Sequence, residues 1–260
     1  MENIETRGLA LVNASINERS RDLMNKMRLY GMSEAFEECL QNNMEDITPD
    51  AMLYKLLTRE SDYRNNLAIA RLTRQANFRY NAYPEDIDFS RNRNLDRNLM
   101  ERLISLDFVR DAQNIFITGP SGTGKSFIAS ALGHQACRAG IKTLYSNAAK
   151  LMGHMKLAKN NGTLEQEMRK VERCPLLILD DMFLVSLDAK ERAILVEIIE
   201  DRHERKSIIV TSQLPVSSWY DAIGDPTVAD AVLDRVIHSA CQIELKGESM
   251  RKIKALKSSK

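Results

Sequence analysis

Gly119-Pro120-Ser121-Gly122-Thr123-Gly124-Lys125-Ser126 matches the pattern G-x-x-x-x-G-K-[ST] at every defined position, and the fold is read outward from it. Residues 114–118, Asn-Ile-Phe-Ile-Thr, are a short apolar run that predicts a buried strand, and Phe127 to Ala139 predicts a helix closed by Gly140. A glycine-rich loop between strand and helix lets backbone N–H groups curl around the α- and β-phosphates of a nucleoside triphosphate at the helix N-terminus. Lys125 then reaches the β- and γ-phosphates, and the Ser126 hydroxyl suits Mg²⁺. Gly119 through Phe127 are therefore the expected nucleotide-binding residues, ATP with Mg²⁺ is the expected cofactor, and Lys125 is also a catalytic candidate.

A second element lies downstream. Leu176-Leu-Ile-Leu179 is wholly apolar and ends in Asp180-Asp181, the pattern of a central parallel strand with acids at its C-terminal end. This pair reads as a Walker B element, with Asp180 in the Mg²⁺ shell and Asp181 polarising the attacking water. Phosphoryl transfer needs positioning and charge neutralisation more than covalent chemistry, and such a set supplies both.

At 260 residues the chain has room for one domain of ordinary size and a smaller one. The net charge of +1 excludes a polycation, so a nucleic-acid surface has to arise from local segregation of charge. Cys39, Cys137, Cys174 and Cys241 are scattered without C-x-x-C spacing, which predicts reduced buried thiols; His134 near Cys137 reads as core. No apolar run approaches the roughly 18 residues of a membrane span and no signal peptide is evident, so a cytoplasmic protein without membrane association is expected.

Residues 1–85 are expected to form a helical domain that binds DNA or a partner, and residues 86–260 the nucleotide-binding domain with a short basic tail. The first part has no glycine after Gly31, and Thr48-Pro49 is a helix start with proline at the first position. From Tyr63 to Pro84 there is no acid, while Arg64, Arg71, Arg74 and Arg79 occur near Phe78, Tyr80 and Tyr83. Such a segment can grip phosphates and stack on bases, or be a solvated helix face. Tyr83-Pro84 marks a joint, and Leu99 to Val109 predicts one amphipathic helix.

Further strands are predicted at Thr143 to Ser146, Ser207 to Thr211 and Cys241 to Leu245, with helices between, giving an open parallel five-stranded α/β sheet. Thr163-Leu-Glu-Gln166 reads as a capping box, and Asp188 with Glu191 caps the helix that ends near Lys206. In the basic tail, Lys246, Arg251, Lys252, Lys254, Lys257 and Lys260 accompany a single acid, Glu248.

With these residues placed, the chain resembles the IstB/DnaC-like branch of the AAA+ P-loop ATPases. The likeness runs through Leu29-Tyr-Gly-Met-Ser-Glu-Ala35, Leu106-Asp-Phe-Val109, Thr211-Ser-Gln-Leu-Pro-Val216 with Trp219, Gly224-Asp-Pro226, Asp234-Arg235 and Gly247-Glu-Ser-Met-Arg251. It implies an ATPase that oligomerises on duplex DNA as a ring, spiral or filament and assists the transposase of its own element in selecting or remodelling target DNA. By the same likeness, Gln213 stands where the family has a polar sensor for the hydrolytic water, and Arg235 matches an arginine finger acting on a neighbouring subunit. Arg251 resembles a second sensor, and Lys150, Lys156 and Lys159 fall on a helix that touches nucleic acid in the initiator clade. Gln213 and Asp181 depart from the commoner asparagine and glutamate, which implies slow hydrolysis, stimulated by DNA and by assembly. The alternative reading is a replicative helicase loader of the DnaC type, and a small-molecule kinase is a more distant third.

Overall fold

The computed structural model describes residues 16–41, 47–90, 93–237 and 240–250. Five strands, β1 (Ile115–Thr118), β2 (Thr143–Asn147), β3 (Leu176–Met182), β4 (Ser207–Ser212) and β5 (Cys241–Glu244), lie parallel in the order β2-β3-β4-β1-β5. This is the expected AAA+ P-loop architecture. The chain passes from β1 out to β2 and later fills the gap with β3 and β4. The C-terminal end of β4 consequently lies between the loop after β1 and the acids of β3, where parallel sheets place their ligands.

Both faces of the sheet are covered, which is why its central strands read as continuous apolar runs. Ile115 and Ile117 of β1, with Ile178 and Ile209, pack under Ile128 and Leu132 of α6 (Lys125–Arg138) and Met100 of α4 (Arg97–Ile104). The alternate side chains, Phe116, Leu177, Leu179, Ile208 and Val210, face the other way. There they meet α7 (Ala148–Asn160), α9 (Ala189–Arg202), α10 (Trp219–Ile223) and α11 (Pro226–Ile237). Burying each of these side chains contributes about 2 kcal/mol.

Arg202 closes the N-terminal end of the sheet. It is only 1% exposed, and its guanidinium donates to the carbonyls of Val171, Cys174, Pro175 and Ser207 at 2.7–3.2 Å. Burial pulls it down to about 10, so it remains a cation, and it adds a donor to four carbonyls at this end of the sheet.

Two local expectations need correction. The helix expected from Leu99 to Val109 is two helices, α4 and the short α5 (Asp107–Arg110), because Leu106 between them turns left-handed at φ 65° to bury its side chain. The box at Thr163 and Gln166 does not form: α8 (Leu164–Glu172) starts without a side-chain cap, and the Thr163 hydroxyl donates back to the Ala158 carbonyl. The Asp188–Glu191 box does form, on α9, which ends at Arg202, before Lys206.

The division into compact units falls between Ala70 and Arg71, earlier than the boundary expected after residue 85. In the first unit, residues 16–26 (α1), α2 (Tyr30–Gln41) and the start of α3 (Pro49–Ala76) are helical. Gly31 is needed because a Cβ there would lie within 2.6–2.9 Å of Arg59, Glu60 and Tyr63 on α3. The buried Glu60 accepts from the Met32 N–H at 3.2 Å and from Arg64 at 2.6 Å, placing a carboxylate at the N-terminus of α2.

Candidate nucleotide-binding site

The loop after β1 is shaped by its backbone. Gly119 has φ 136°, and a Cβ there would run into the Leu245 carbonyl; Gly124, at φ 103°, opens α6. A backbone of this kind lets amides of the loop and of the first turn of α6 approach a phosphate, with the helix dipole behind them. The Lys125 ammonium is folded onto the loop, donating to the Gly119 and Pro120 carbonyls at 2.8 and 2.9 Å. The Thr123 hydroxyl donates to Pro120, and the Met250 N–H to the Gly122 carbonyl at 2.8 Å, so the segment after β5 braces the loop.

The end of β3 is built from side chains. Asp180 is fully buried, and its carboxylate accepts from the Thr211 hydroxyl of β4 at 2.6 Å and from the Tyr145 hydroxyl of β2 at 2.5 Å. Burial, with Asp180 as hydrogen-bond partner, pushes the Tyr145 phenol well above its usual range, so it stays protonated and donating. Asp181 follows in a left-handed conformation, φ 56°, at a break in the β3–β4 register; its N–H donates to the same Thr211 hydroxyl at 3.0 Å. The kink points the two acids differently, Asp180 into the protein and Asp181 into the cavity.

A cavity of about 620 Å³ joins the two elements, with Gly122, Gly124, Lys125 and Ser126 on one side and Asp181 and Gln213 on another. Gln213 follows directly on β4, between loop and acids, as the strand order requires. Phe127 and Ser121 also line it, whereas Asp180 lies behind its wall. The hard oxygen donors Ser126, Asp180 and Asp181 suit Mg²⁺. A cation already lies on the acids: Arg79 Nη1 is 3.2 Å from Asp180 and 2.9 Å from Asp181.

The other expected residues distribute more widely. Arg235 is not in the lining of its own cavity; it pairs with Glu200 at 2.8 Å and donates to the Ala231 carbonyl. Arg71 and Arg74 are exposed along α3, and Arg64 is paired with Glu60. Lys150, Lys156 and Lys159 lie on α7, directly after β2, with Lys156 ion-paired to Asp188. Arg251 lies outside the described residues, as do Lys252, Lys254, Lys257 and Lys260. Of the aromatics near these arginines, Phe78 and Tyr83 pack on His134 with centroids 4.2 and 5.0 Å apart, and Tyr80 lies against Phe127.

Tyr145, Thr211 and Arg93 were missed from the sequence. Arg93 is 5% exposed and donates from beneath the phosphate loop to the Thr123 carbonyl at 3.2 Å and to the Asp88 carbonyl at 2.6 Å. A polar residue in a strand flanking the Walker B acids is the one local signal that could have pointed to Tyr145 and Thr211.

Among known proteins, residues 22–258 match the model of the family described as IstB-like ATP binding protein. An insertion-sequence ATP-binding protein of Sinorhizobium fredii is 44% identical, over 91% of this chain and 97% of its own. The IS21 ATP-binding protein of Pseudomonas aeruginosa is 28% identical over 88% of this chain and 87% of its own. Of solved structures, AMPPCP-bound DnaA from Aquifex aeolicus superposes with a TM-score of 0.56 at 22% identity, covering 70% of this chain and 56% of that one. The DnaC helicase loader does so at 0.52 and 20% identity, covering 64% and 98%. These likenesses carry the AAA+ fold. No described helix is long and apolar enough to cross a membrane. With its phosphate loop, its paired acids and a family match over nearly its whole length, the chain belongs to the IstB-like ATP-binding protein family.

Proposed function

We propose that this protein is a slow cytoplasmic ATPase that assembles on duplex DNA and assists a transposase in choosing or remodelling target DNA. The observation that carries the reading is the convergence of Lys125, Ser126, Asp181 and Gln213 on one cavity, in a chain whose relatives are named as insertion-sequence ATP-binding proteins. Lys125 and the loop amides bind and orient the triphosphate. Asp181, carried into the cavity by its left-handed backbone, accepts the proton side of a water that Gln213 helps align. Ser126 and Asp180 would hold Mg²⁺, which supplies charge neutralisation at the phosphates when bound.

Arg235 supports the assembly part of the proposal. It lies away from its own cavity, so its guanidinium serves a neighbour's nucleotide when subunits stack. Arg71 and Arg74 on α3, with Lys150 and Lys159 on α7, are exposed cations suited to phosphate contacts, and Arg251 is kept as a second sensor. A helicase loader would share the ATPase unit but bind a hexameric helicase; a transposase gene beside this one favours the first reading and a replication operon the second.

The test is phosphate release against protein concentration, with and without duplex DNA, for wild type, Arg235→Ala, Lys125→Ala and a mixture of the two variants. Turnover rising steeply with concentration and DNA, and partial rescue in the mixture, are expected. Concentration-independent turnover, or an Arg235→Ala protein as active as wild type on DNA, would refute assembly-dependent hydrolysis.

A further inference from the structure

Arg79 is held in place on both sides. Phe78 rests on His134 and occupies the space over Gly133, where any Cβ would overlap its ring. Tyr80 leans on Phe127, with centroids 6.3 Å apart. With both neighbours seated on α6, the backbone at Arg79 has little freedom and the long side chain spans to the end of β3. There a single nitrogen, Nη1, bridges Asp180 and Asp181. The guanidinium also lines the cavity with Lys125 and Ser126, and its side chain is 43% exposed, leaving it room to move.

We infer that Arg79 is a displaceable counter-ion of the acid pair, which competes with the divalent cation for the carboxylate oxygens and, once displaced, contacts the triphosphate. The inference rests on the ATP-binding reading above. Two neighbouring carboxylates repel unless a cation lies between them, and Arg79 supplies it. A divalent cation taking oxygens of the same pair meets the arginine charge at close range, and the two exclude one another. The anchored backbone limits where the guanidinium can go, and within its reach phosphate oxygens match its planar fork. Arg79 thereby links the arrival of metal to the grip on nucleotide, a role separate from the DNA contact expected of it.

The test uses the full chain and two probes. The first is Mn²⁺, titrated without nucleotide and followed by the resonance signal of the free ion. Arg79→Ala should bind Mn²⁺ about fivefold more tightly than wild type, as removal of a half-exposed ion pair worth about 1 kcal/mol predicts. Arg79→Lys should change less, and Asp181→Asn should weaken binding in either background. The second is a fluorescent ATP analogue at saturating Mg²⁺, which Arg79→Ala should bind several-fold more weakly. Arg79→Gln serves if the alanine variant does not fold. Equal Mn²⁺ affinity in wild type and variant, no Mn²⁺ binding by either, or unaltered analogue affinity would each overturn the inference. Failure of the ATP-binding reading would show differently, as unaltered analogue binding by Lys125→Ala.

Discussion

At the end of β1 the cavity is bordered by a loop whose backbone is shaped by glycines at φ 136° and 103° and braced by Arg93 and Met250. At the end of β3 the site is made of side chains, held by the hydroxyls of Tyr145 and Thr211 from the two flanking strands and bridged by Arg79. A half made of backbone tolerates side-chain changes except at its glycines, at Lys125 and at Ser126. A half made of mutually bonded side chains fails gradually, since each partner holds the others. Binding and chemistry should therefore separate when the two halves are mutated.

The largest expected effect lies in the loop. Lys125→Ala removes the ammonium that the proposed function assigns to the β- and γ-phosphates and should cost about 3 kcal/mol, close to 100-fold in ATP affinity, as a charged hydrogen bond implies. Equilibrium binding of a fluorescent analogue measures it, and an affinity within a factor of two of wild type would break the comparison at its stronger side.

A smaller effect is expected in the acid half. The Thr211 hydroxyl donates to Asp180 Oδ1 and accepts from the Asp181 N–H, so Thr211→Val removes a partner from each and should destabilise the protein by about 2 kcal/mol. Tyr145→Phe should cost about 1 kcal/mol, with the double variant departing from the sum because both hydroxyls serve one carboxylate. Denaturant unfolding of the four proteins sharpens the comparison; strict additivity would mean that the hydroxyls do not act through Asp180.

The loop, the acids and the alternation of strands with helices were legible because each is a local pattern: a glycine-rich turn, an apolar run ending in acids, a repeated strand and helix. Tyr145, Thr211 and Arg79 were not, since they come from β2, β4 and the segment after α3, and meet only once the strand order places β3 between β2 and β4. The pairing of Arg79 was hidden in sequence because it stands in a run without acids, and its carboxylate partners lie a hundred residues on. The helix expected through Leu106 failed for a tertiary reason, as burial of that leucine offsets a left-handed strain of about 1–2 kcal/mol. Gly31, quoted for its resemblance alone, has a packing reason that only the approach of α3 reveals.

The smallest effect concerns pH. His134 donates its Nδ1–H to the Ser130 carbonyl at 2.9 Å under the rings of Phe78 and Tyr83, and burial, with Arg138 nearby, lowers it from the ordinary 6.5. Its neutral form belongs to the folded state, so the unfolded chain takes up the proton first. The stability this gives is complete above 6.5 and is lost as pH falls from there through the lower folded-state value. Melting curves between pH 7.5 and roughly 5.5 should show it, and His134→Gln should flatten the slope; an unchanged slope would assign the pH dependence elsewhere.

The central claim, that loop and acids make one site in which binding and hydrolysis are separable, is tested most directly by Asp181→Asn. The amide keeps the side chain's shape but no longer draws a proton from water. ATP-analogue affinity should stay within about threefold of wild type, and DNA-stimulated phosphate release should fall by about 100-fold or more, the scale of losing one preorganised catalytic group. Phosphate release at the wild-type rate, or analogue binding lost together with turnover, would contradict the claim.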